Sequence, residues 1–311
     1  MNVDCVIPLY NKKNFISKTI ESALNQKNTK FKKIIVINDG STDGGDSIVQ
    51  ELAKKNDSII LKNQKNLGSS AARNNGVKIS KAEFVVFLDA DDQLHEKYLL
   101  CLNLMYSHYN DHKIFSTKHY NIYKNKQLIN NFGDFKLLKS KIIKLKDPIL
   151  NYSFTPKIFC SSGICIEKKL ATKNPFPENI NVGEDIYTWL KLFNNNKLIY
   201  YDKELIFIFK ISENRSVEIF REIPFYLKQI RYLNPNNKLS YSIYFIIASI
   251  IFVFQKKNDK DLIKDFYTTI KNQSILIYFI LKFVDNSLCY RLYKLLKFRK
   301  EKYEKNKKTL Y

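Results

Sequence analysis

Three aspartates stand together at the end of one apolar run. The segment FLDADD, residues 87–92, ends in Asp89, Asp91 and Asp92. Neighbouring carboxylates repel and raise one another's pKa, and a divalent cation removes that conflict. Their oxygens suit hard ions such as Mg²⁺ and Mn²⁺, which complete their shell with waters and substrate phosphates. Asp89 and Asp91, two positions apart in an extended segment, would face one side and are candidate metal ligands. Asp92 is expected to cap a helix over Gln93–Ser107.

A second pair of carboxylates, Glu184 and Asp185, opens another predicted helix. The apolar residues after it recur at helical spacing, as Ile186, Trp189, Leu190 and Phe193. Carboxylates favour the positive end of a helix, so capping is one interpretation. A general base that takes a proton from an attacking hydroxyl is the other.

Two further polar segments, Asn38–Asp43 and Lys65–Asn74, have the composition of strand-to-helix turns. In the first, capping of the next helix is compatible with a role for Asp39 in accepting from the N–H of a nucleotide base. In the second, small residues at 68–72 let a helix begin close to a ligand, with Arg73 on its first turns; tight packing alone explains them equally well. Neither GxGxxG nor GxxxxGK[ST] is present, so neither type of glycine-rich phosphate loop is predicted.

These candidates must be positioned by an α/β fold. Short β-rich runs alternate with helical periodicity, which predicts a mostly parallel sheet covered on both faces. In such a sheet, ligands bind beyond the carboxyl ends of the strands, where the polar segments fall. The predicted strands are 3–9, 34–37, 58–61 and 84–88, and the first helices are Asn14–Gln26 and Asp46–Lys55.

The composition limits the class of protein. A chain of 311 residues with 45% hydrophobic residues supports a substantial core and excludes disorder for most of its length. Its five cysteines are scattered without CxxC spacing, which predicts neither a disulfide framework nor a zinc site and favours a reducing cytoplasm. The first residues, MNVDCVIPLYN, are expected to form a strand and not a secretion signal.

The formal net charge of +22 indicates an anionic partner. More than half of this surplus lies in residues 221–311, with 19 Lys+Arg against 7 Asp+Glu. The apolar run 239–254 is too short to span a bilayer, which favours a buried or interfacial helix. The tail 288–308 has the pattern of an amphipathic helix on anionic lipid. Two interpretations stay open for this region: a membrane-docking element, or a helical subdomain packed on the core.

Five blocks, in order, resemble glycosyltransferase family 2 over about residues 1–215. This resemblance implies a GT-A (Rossmann-like) fold with a mostly parallel sheet flanked by helices, a nucleotide-diphosphate sugar donor, a divalent metal, Mn²⁺ or Mg²⁺, and inversion at the anomeric carbon. It suggests a catalytic domain over 1–220 and a C-terminal helical region over 221–311. The blocks are VIPLYN (6–11), NDGSTDG (38–44), KNLGSSAARNNG (65–76), FLDADD (87–92) and GEDIYTWLKL (183–192).

The resemblance also implies roles for individual residues. Asp185 would be the general base with Glu184 beside it, and Asp91 with Asp89 would hold the metal. Ser212 stands where many relatives have a histidine, which leaves a third protein ligand to the metal in question. The expected donor-nucleotide residues are Pro8, Tyr10, Asn11, Asp39, Asn66, Gly68, Arg73, Asp89, Ala90, Lys210 and Arg215.

The function expected from the sequence is transfer of one hexose or N-acetylhexosamine from a UDP-sugar to a bacterial surface-glycan precursor. A lipid-linked acceptor would place the protein in the cytoplasm, at the inner face of the membrane. One alternative is a catalytically inactive sugar-nucleotide-binding scaffold. Another is a basic nucleic-acid-binding protein, although the cations concentrate away from the expected cleft and no nucleic-acid motif is present, so no nucleic-acid partner is predicted.

Overall fold

The fold is given by a computed structural model that describes residues 1–123, 136–154, 158–210, 222–229, 233, 236–256, 258–274, 277–279 and 281. The strands are β1 Val3–Leu9, β2 Ile34–Asn38, β3 Ile59–Asn63, β4 Phe84–Phe87, β5 Asp92–Leu94, β6 Ile114–Ile122, β7 Ile142–Leu145, β8 Cys165–Glu167 and β9 Leu198–Phe209. The helices are α1 Lys13–Leu24, α2 Gly45–Lys55, α3 Ser69–Ile79, α4 Tyr98–His108, α5 Pro148–Phe154, α6 Lys168–Lys173, α7 Glu184–Phe193, α8 Phe225–Gln229, α9 Lys238–Gln255 and α10 Lys260–Gln273.

Within these ranges the nine strands form one mixed sheet. Its order is β3-β2-β1-β4-β8-β6-β9-β5, with β7 beside β9. The first four strands are parallel, as predicted. The strands β1, β2 and β4 are buried along almost their whole length, while β3 at the edge ends in exposed Lys62 and Asn63. Beyond β4 the pairing is antiparallel, except between β6 and β9.

The prediction of a helix beginning at Gln93 with Asp92 as its N-cap is wrong. Residues Asp92–Leu94 form β5, which pairs with β9 in antiparallel register, and α4 begins only at Tyr98. The preceding residues form a turn and not an extended segment, since the N–H of Asp92 donates to the carbonyl of Asp89 at 3.0 Å. The aspartates therefore point toward different partners.

The apolar run near residue 245 forms α9, which packs on α7. Tyr244, Phe245 and Phe252 are buried in one core cluster with Trp189 of α7. The hydroxyl of Tyr241 donates to the carbonyl of Leu190, also on α7. The packed-helix interpretation therefore holds for α9, while the predicted boundary at residue 220 and the basic tail 288–308 lie outside the described residues.

Two further predictions concern the thiols and the membrane. In the described ranges Cys5, Cys101, Cys160 and Cys165 are free, and Cys289 lies outside them. None of the described helices is both long and apolar enough to cross a membrane.

Candidate functional site

The carboxyl ends of β1, β2 and β4 meet at one edge of the sheet. In the parallel register Leu9 lies opposite Asn38, and Val6 lies opposite Phe87. The loops that follow these strands therefore start side by side. The structure brings the polar segments after the first, second and fourth strands together at this edge.

Asp39, directly after β2, is buried and organises the start of α3. Its Oδ1 accepts from the side chain of Gln64 at 2.7 Å and from the N–H of Leu67 at 2.8 Å, and its Oδ2 accepts from the N–H of Gly68 at 2.9 Å. Gly68 is the N-cap of α3. Because a carboxylate has about four acceptor positions, these bonds use most of the capacity of Asp39. In this structure, Asp39 therefore holds the loop over 64–68 in place.

Asn11 ties the loop after β1 to the loop after β2. It adopts a left-handed backbone conformation, with φ of 49°, which Asn tolerates better than most residues. Its N–H donates to Ser41 at 3.1 Å and its Oδ1 accepts from the N–H of Thr42 at 2.8 Å. Of the neighbouring residues, Pro8 is half-buried and Tyr10 is 45% exposed. Tyr10 thus presents an aromatic ring to solvent at this edge.

Arg73 joins carboxylates that lie far apart in the sequence. Its Nη2 is 2.7 Å from Oδ1 of Asp89, and its Nη1 is 3.7 Å from Oε1 of Glu184. The guanidinium is 5.4 Å from the ring centroid of Phe176 and is 5% exposed. Burial alone would lower the pKa of Arg73, but the charges of Asp89 and Glu184 raise it, so the guanidinium stays charged. Its buried Nε and Nη1 have no hydrogen-bond partner among the described residues.

Glu184 and Asp185 stand at the N-terminus of α7, behind Gly183. A side chain at Gly183 would meet Tyr226 of α8, and its φ of 84° is one that glycine adopts easily. Burial, followed by the charge of Asp185, raises the pKa of Glu184 to about 7, although Arg73 opposes the shift. Glu184 therefore changes charge near neutral pH.

Two adjacent serines connect the base candidate to the aspartate cluster. The hydroxyl of Ser161 donates to Oδ2 of Asp185 at 2.6 Å. The hydroxyl of Ser162 donates to Oδ2 of Asp92 at 2.5 Å and accepts from the N–H of Asp89 at 3.1 Å. One dipeptide therefore sets the spacing between the two groups of carboxylates.

Asp92 is the buried member of the cluster. Its Oδ1 accepts from the N–H of Phe209, at the end of β9, at 3.1 Å. Burial raises its pKa well above the ordinary value, and the charges of Asp91 and Asp89 raise it further. Asp92 thus holds β5 and β9 together, while Asp89 and Asp91 carry the accessible charge.

The residues present fit a divalent cation that is only partly held by protein. Asp91 faces a cation already, since its Oδ2 is 3.0 Å from Nζ of Lys12, and Asp89 offers a second carboxylate. Among the described residues no three His, Cys, Asp or Glu side chains form a metal-binding group. A Mg²⁺ or Mn²⁺ ion on two carboxylates would complete its shell with water and phosphate oxygens, which is usual for these ions.

Tyrosines from the later helices surround the base candidate. Burial raises the pKa of Tyr152 on α5, Tyr226 on α8 and Tyr244 on α9, and the charge of Asp185 contributes to each shift. The hydroxyls of Tyr226 and Tyr244 are hydrogen-bonded to each other. Tyr226 and Tyr244 of α8 and α9 therefore lie close enough to Asp185 to feel its charge.

Comparison with known proteins identifies the family. A sequence profile of glycosyl transferase family 2 matches residues 4–163. The chain belongs to this family. An uncharacterized glycosyltransferase of Rickettsia bellii is 35% identical over 209 residues, which cover 65% of this chain and 28% of that protein. The poly(ribitol-phosphate) beta-N-acetylglucosaminyltransferase TarP of Staphylococcus aureus is 41% identical over 102 residues, which cover 31% of this chain and 30% of TarP.

The fold is that of a GT-A glycosyltransferase. The crystal structure of S. aureus TarS 1–349 in complex with UDP-GlcNAc superposes with a TM-score of 0.68 at 17% identity, over 89% of this chain and 83% of TarS 1–349. The curated relatives are longer: the match spans 28% of the R. bellii protein and 32% of an uncharacterized glycosyltransferase of Rickettsia felis.

Most of the predicted site residues lie at this edge of the sheet. Ala90 is buried in the aspartate turn, where its carbonyl accepts from Thr19 of α1, and Asn66 is exposed beside Gly40. Lys210 directly follows β9. Burial raises the pKa of the Cys160 thiol well above its ordinary value, and the nearby charge of Lys210 opposes that shift. Arg215 and Ser212 lie outside the described residues. The nucleotide, metal and base roles stay predictions.

Sequence reasoning missed Gln64, Lys12 and the Ser161-Ser162 pair. Lys12 directly follows the first family block, at the carboxyl end of β1, and that position is the signal that could have identified it. The serines lie in a small, polar stretch before β8 whose partners are distant in sequence, so local periodicity carries no sign of them.

Proposed function

We propose that this chain is an inverting, metal-dependent glycosyltransferase that moves one sugar from a UDP-sugar to a hydroxyl of a glycan precursor. The observation that carries the proposal is the position of Arg73. Its guanidinium contacts Asp89 on one side and Glu184, the neighbour of Asp185, on the other. Two groups of carboxylates, one suited to a metal-bound diphosphate and one to a proton transfer, thus lie on either side of one guanidinium.

The donor would lie along the edge formed by the loops after β1, β2 and β4. Asp39 and Tyr10 would border the nucleotide, and Asp89 and Asp91 would hold the cation. When bound, a divalent cation offsets the charge that grows on the departing diphosphate. Arg73, which is 5% exposed and already pairs with Asp89 and Glu184, would act by holding these carboxylates in place beside the donor.

The chain's own contribution to the chemistry is to position a base. Asp185 is oriented by Ser161 and by the N–H of Ile186, which donates to its Oδ1 at 2.7 Å. In the proposed step, Asp185 takes the proton of the acceptor hydroxyl as that oxygen bonds to the anomeric carbon. The bond from this carbon to the diphosphate oxygen breaks on the opposite face, and UDP leaves with the electron pair. Positioning by the cleft supplies much of the rate enhancement.

N-acetylglucosamine is the first donor sugar to test. TarP is a poly(ribitol-phosphate) beta-N-acetylglucosaminyltransferase, and the TarS complex contains UDP-GlcNAc. We keep glucose and galactose as alternatives. For the acceptor we propose a surface-glycan precursor, lipid-linked at the cytoplasmic face of the membrane, because the basic tail suits an anionic surface.

A donor screen that reports UDP release tests this function. Purified protein with Mn²⁺ is expected to release UDP from UDP-N-acetylglucosamine or a UDP-hexose, faster with a suitable acceptor, and EDTA should abolish release. Asp185→Asn keeps the shape of the side chain but removes the base, so we expect turnover to fall by about a hundredfold or more, with UDP affinity within twofold of wild type. Undiminished turnover would remove Asp185 from the base role.

The screen also separates the proposal from the scaffold alternative. A protein that binds UDP-sugar with Mn²⁺ but releases no UDP with any acceptor tested would be a sugar-nucleotide-binding scaffold of the same fold. A protein that binds no UDP-sugar at all would refute the donor class.

A further inference from the structure

Lys12 occupies a position from which it can control the metal site. Its Nζ is 3.0 Å from Oδ2 of Asp91, and the two side chains are 14% and 16% exposed. A partly buried ion pair is screened less by salt than an exposed one. Lys12 therefore places a fixed positive charge on the carboxylate that is expected to hold the cation.

The local fold keeps Lys12 at this carboxylate. Lys12 is the N-cap position of α1, directly after Asn11, whose backbone is fixed by the loop after β2. About two turns further along α1, the hydroxyl of Thr19 donates to the carbonyl of Ala90 at 2.9 Å, and both groups are buried. Helix α1 thus contacts the aspartate turn at two points, Lys12 and Thr19. The ion pair is therefore part of a packed interface and not an isolated pair on the surface.

The charges at this turn make Lys12 and a divalent cation competitors. Both are attracted to Asp91, and an ammonium within a few ångströms of the ion repels it. A nucleotide diphosphate changes the balance, because its oxygens supply negative charge and ligands for the cation and also a new partner for the ammonium. The same lysine would then oppose metal binding in the free protein and support diphosphate binding in the complex.

We propose that Lys12 couples the metal to the donor: in the free protein it holds Asp91 and lowers the affinity for a divalent cation, and on donor binding it turns to a diphosphate oxygen. This inference rests on the donor and metal classes proposed above. Coupling of this kind is reciprocal, so the metal must raise the affinity for diphosphate by the same factor by which diphosphate raises the affinity for metal.

The test measures Mn²⁺ binding directly, by the loss of the electron paramagnetic resonance signal of free Mn²⁺, with and without saturating UDP. The variant is Lys12→Met, which keeps most of the length of the side chain and removes the charge. Without UDP it is expected to bind Mn²⁺ about tenfold more tightly than wild type, and with UDP the difference should vanish or reverse. In EDTA, Lys12→Met should bind UDP several-fold more weakly. Lys13→Met, one residue along on an exposed side chain, is the matched control and should behave as wild type.

The outcomes separate this inference from the proposed function. Equal Mn²⁺ affinity of Lys12→Met and wild type without UDP would overturn the role of Lys12, while UDP-stimulated Mn²⁺ binding by both would leave the proposed function standing. Failure of both proteins to bind Mn²⁺ even with UDP bound would overturn the Lys12 role together with the metal. Lys12→Gln repeats the measurement if the methionine variant folds poorly, and Asp91→Asn, which should lose Mn²⁺ in both conditions, identifies the site.

Discussion

Glu184 is the side chain at which burial and charge oppose each other most directly. It is 13% exposed, next to Asp185, and it faces Arg73 across 3.7 Å. The attraction of Arg73 does not offset burial and the neighbouring charge, since the pKa still rises to about 7. The ordinary value is 4.5, so the folded protein holds this proton more tightly than the unfolded chain does. Ionised Glu184 therefore destabilises the fold, which suits a group kept at a ligand site.

The pH dependence of stability should reveal this group. Because the pKa of Glu184 is raised in the folded state, the contribution of this group to the unfolding free energy is complete below about pH 4.5. That contribution is lost as the pH rises to about 7. Glu184→Gln mimics the protonated form. The difference in unfolding free energy between Glu184→Gln and wild type should therefore change in favour of the variant from pH 5 to pH 8, by up to about 3 kcal/mol. Denaturant unfolding at both pH values gives the difference, and a constant gap between the two proteins would contradict the assigned shift.

At the scale of elements, the contact of α3 with β1 decides where Arg73 lies. Gly76 of α3 packs directly on Val6 of β1: an added Cβ would lie 2.2 Å from Cγ1 of Val6 and 3.1 Å from its Cγ2. Only a residue without a side chain lets the helix approach so closely. Three positions earlier on the same helix, Arg73 reaches both carboxylate groups. The small residues of the third family block therefore serve packing and the ligand site together.

Substitutions at this contact should show non-additive stability. Gly76→Ala forces α3 away from β1 and is expected to cost about 1–3 kcal/mol. Val6→Ala leaves a cavity and should cost a similar amount. In the double variant the removed methyl groups make room for the new one, so its cost should be lower than the sum by about 1 kcal/mol or more. Chemical denaturation of the four proteins measures this cycle, and simple additivity would argue against the contact.

Which elements the sequence could predict follows from the range of the contacts involved. The strands β1, β2 and β4 and the helices α1 and α2 were predictable because their apolar periodicity is local. The strand β5 was not predictable, because its three residues are stabilised by pairing with β9. The carboxylate of Asp92 in β5 also accepts from the N–H of Phe209, 117 positions away. The spacing of Asp89 and Asp91 marked them as candidates but wrongly predicted an extended segment, because the turn at Asp89–Asp92 has no local apolar signal. The Ser161-Ser162 link to Asp185 depends on a loop placed by tertiary structure.

At the scale of the whole molecule, the helices after residue 221 belong partly to the catalytic core. Asp147, before α5, accepts from the N–H of Leu150 at 2.9 Å and from the side chains of Asn237 and Ser240 at the start of α9. With Tyr244 behind the base candidate, α9 completes the site from the C-terminal side. Removal of everything after residue 225 would expose the core, so a truncated chain cannot report on the membrane alone.

Substitutions in the basic tail test membrane docking without removing α9. Four tail cations are replaced by glutamine, namely Lys294, Lys297, Arg299 and Lys300. A control of equal charge change replaces four exposed lysines of the first sixty residues, namely Lys18, Lys30, Lys32 and Lys55. Each cation near an anionic surface contributes about 1 kcal/mol, so the tail variant should bind vesicles of phosphatidylglycerol and phosphatidylcholine at least about tenfold more weakly than wild type in co-sedimentation. The control variant should stay within about threefold, because its charges do not belong to the proposed docking segment. Equal losses in the two variants would show that binding follows net charge alone, and the tail would then have no special part in bringing the enzyme to a lipid-linked acceptor.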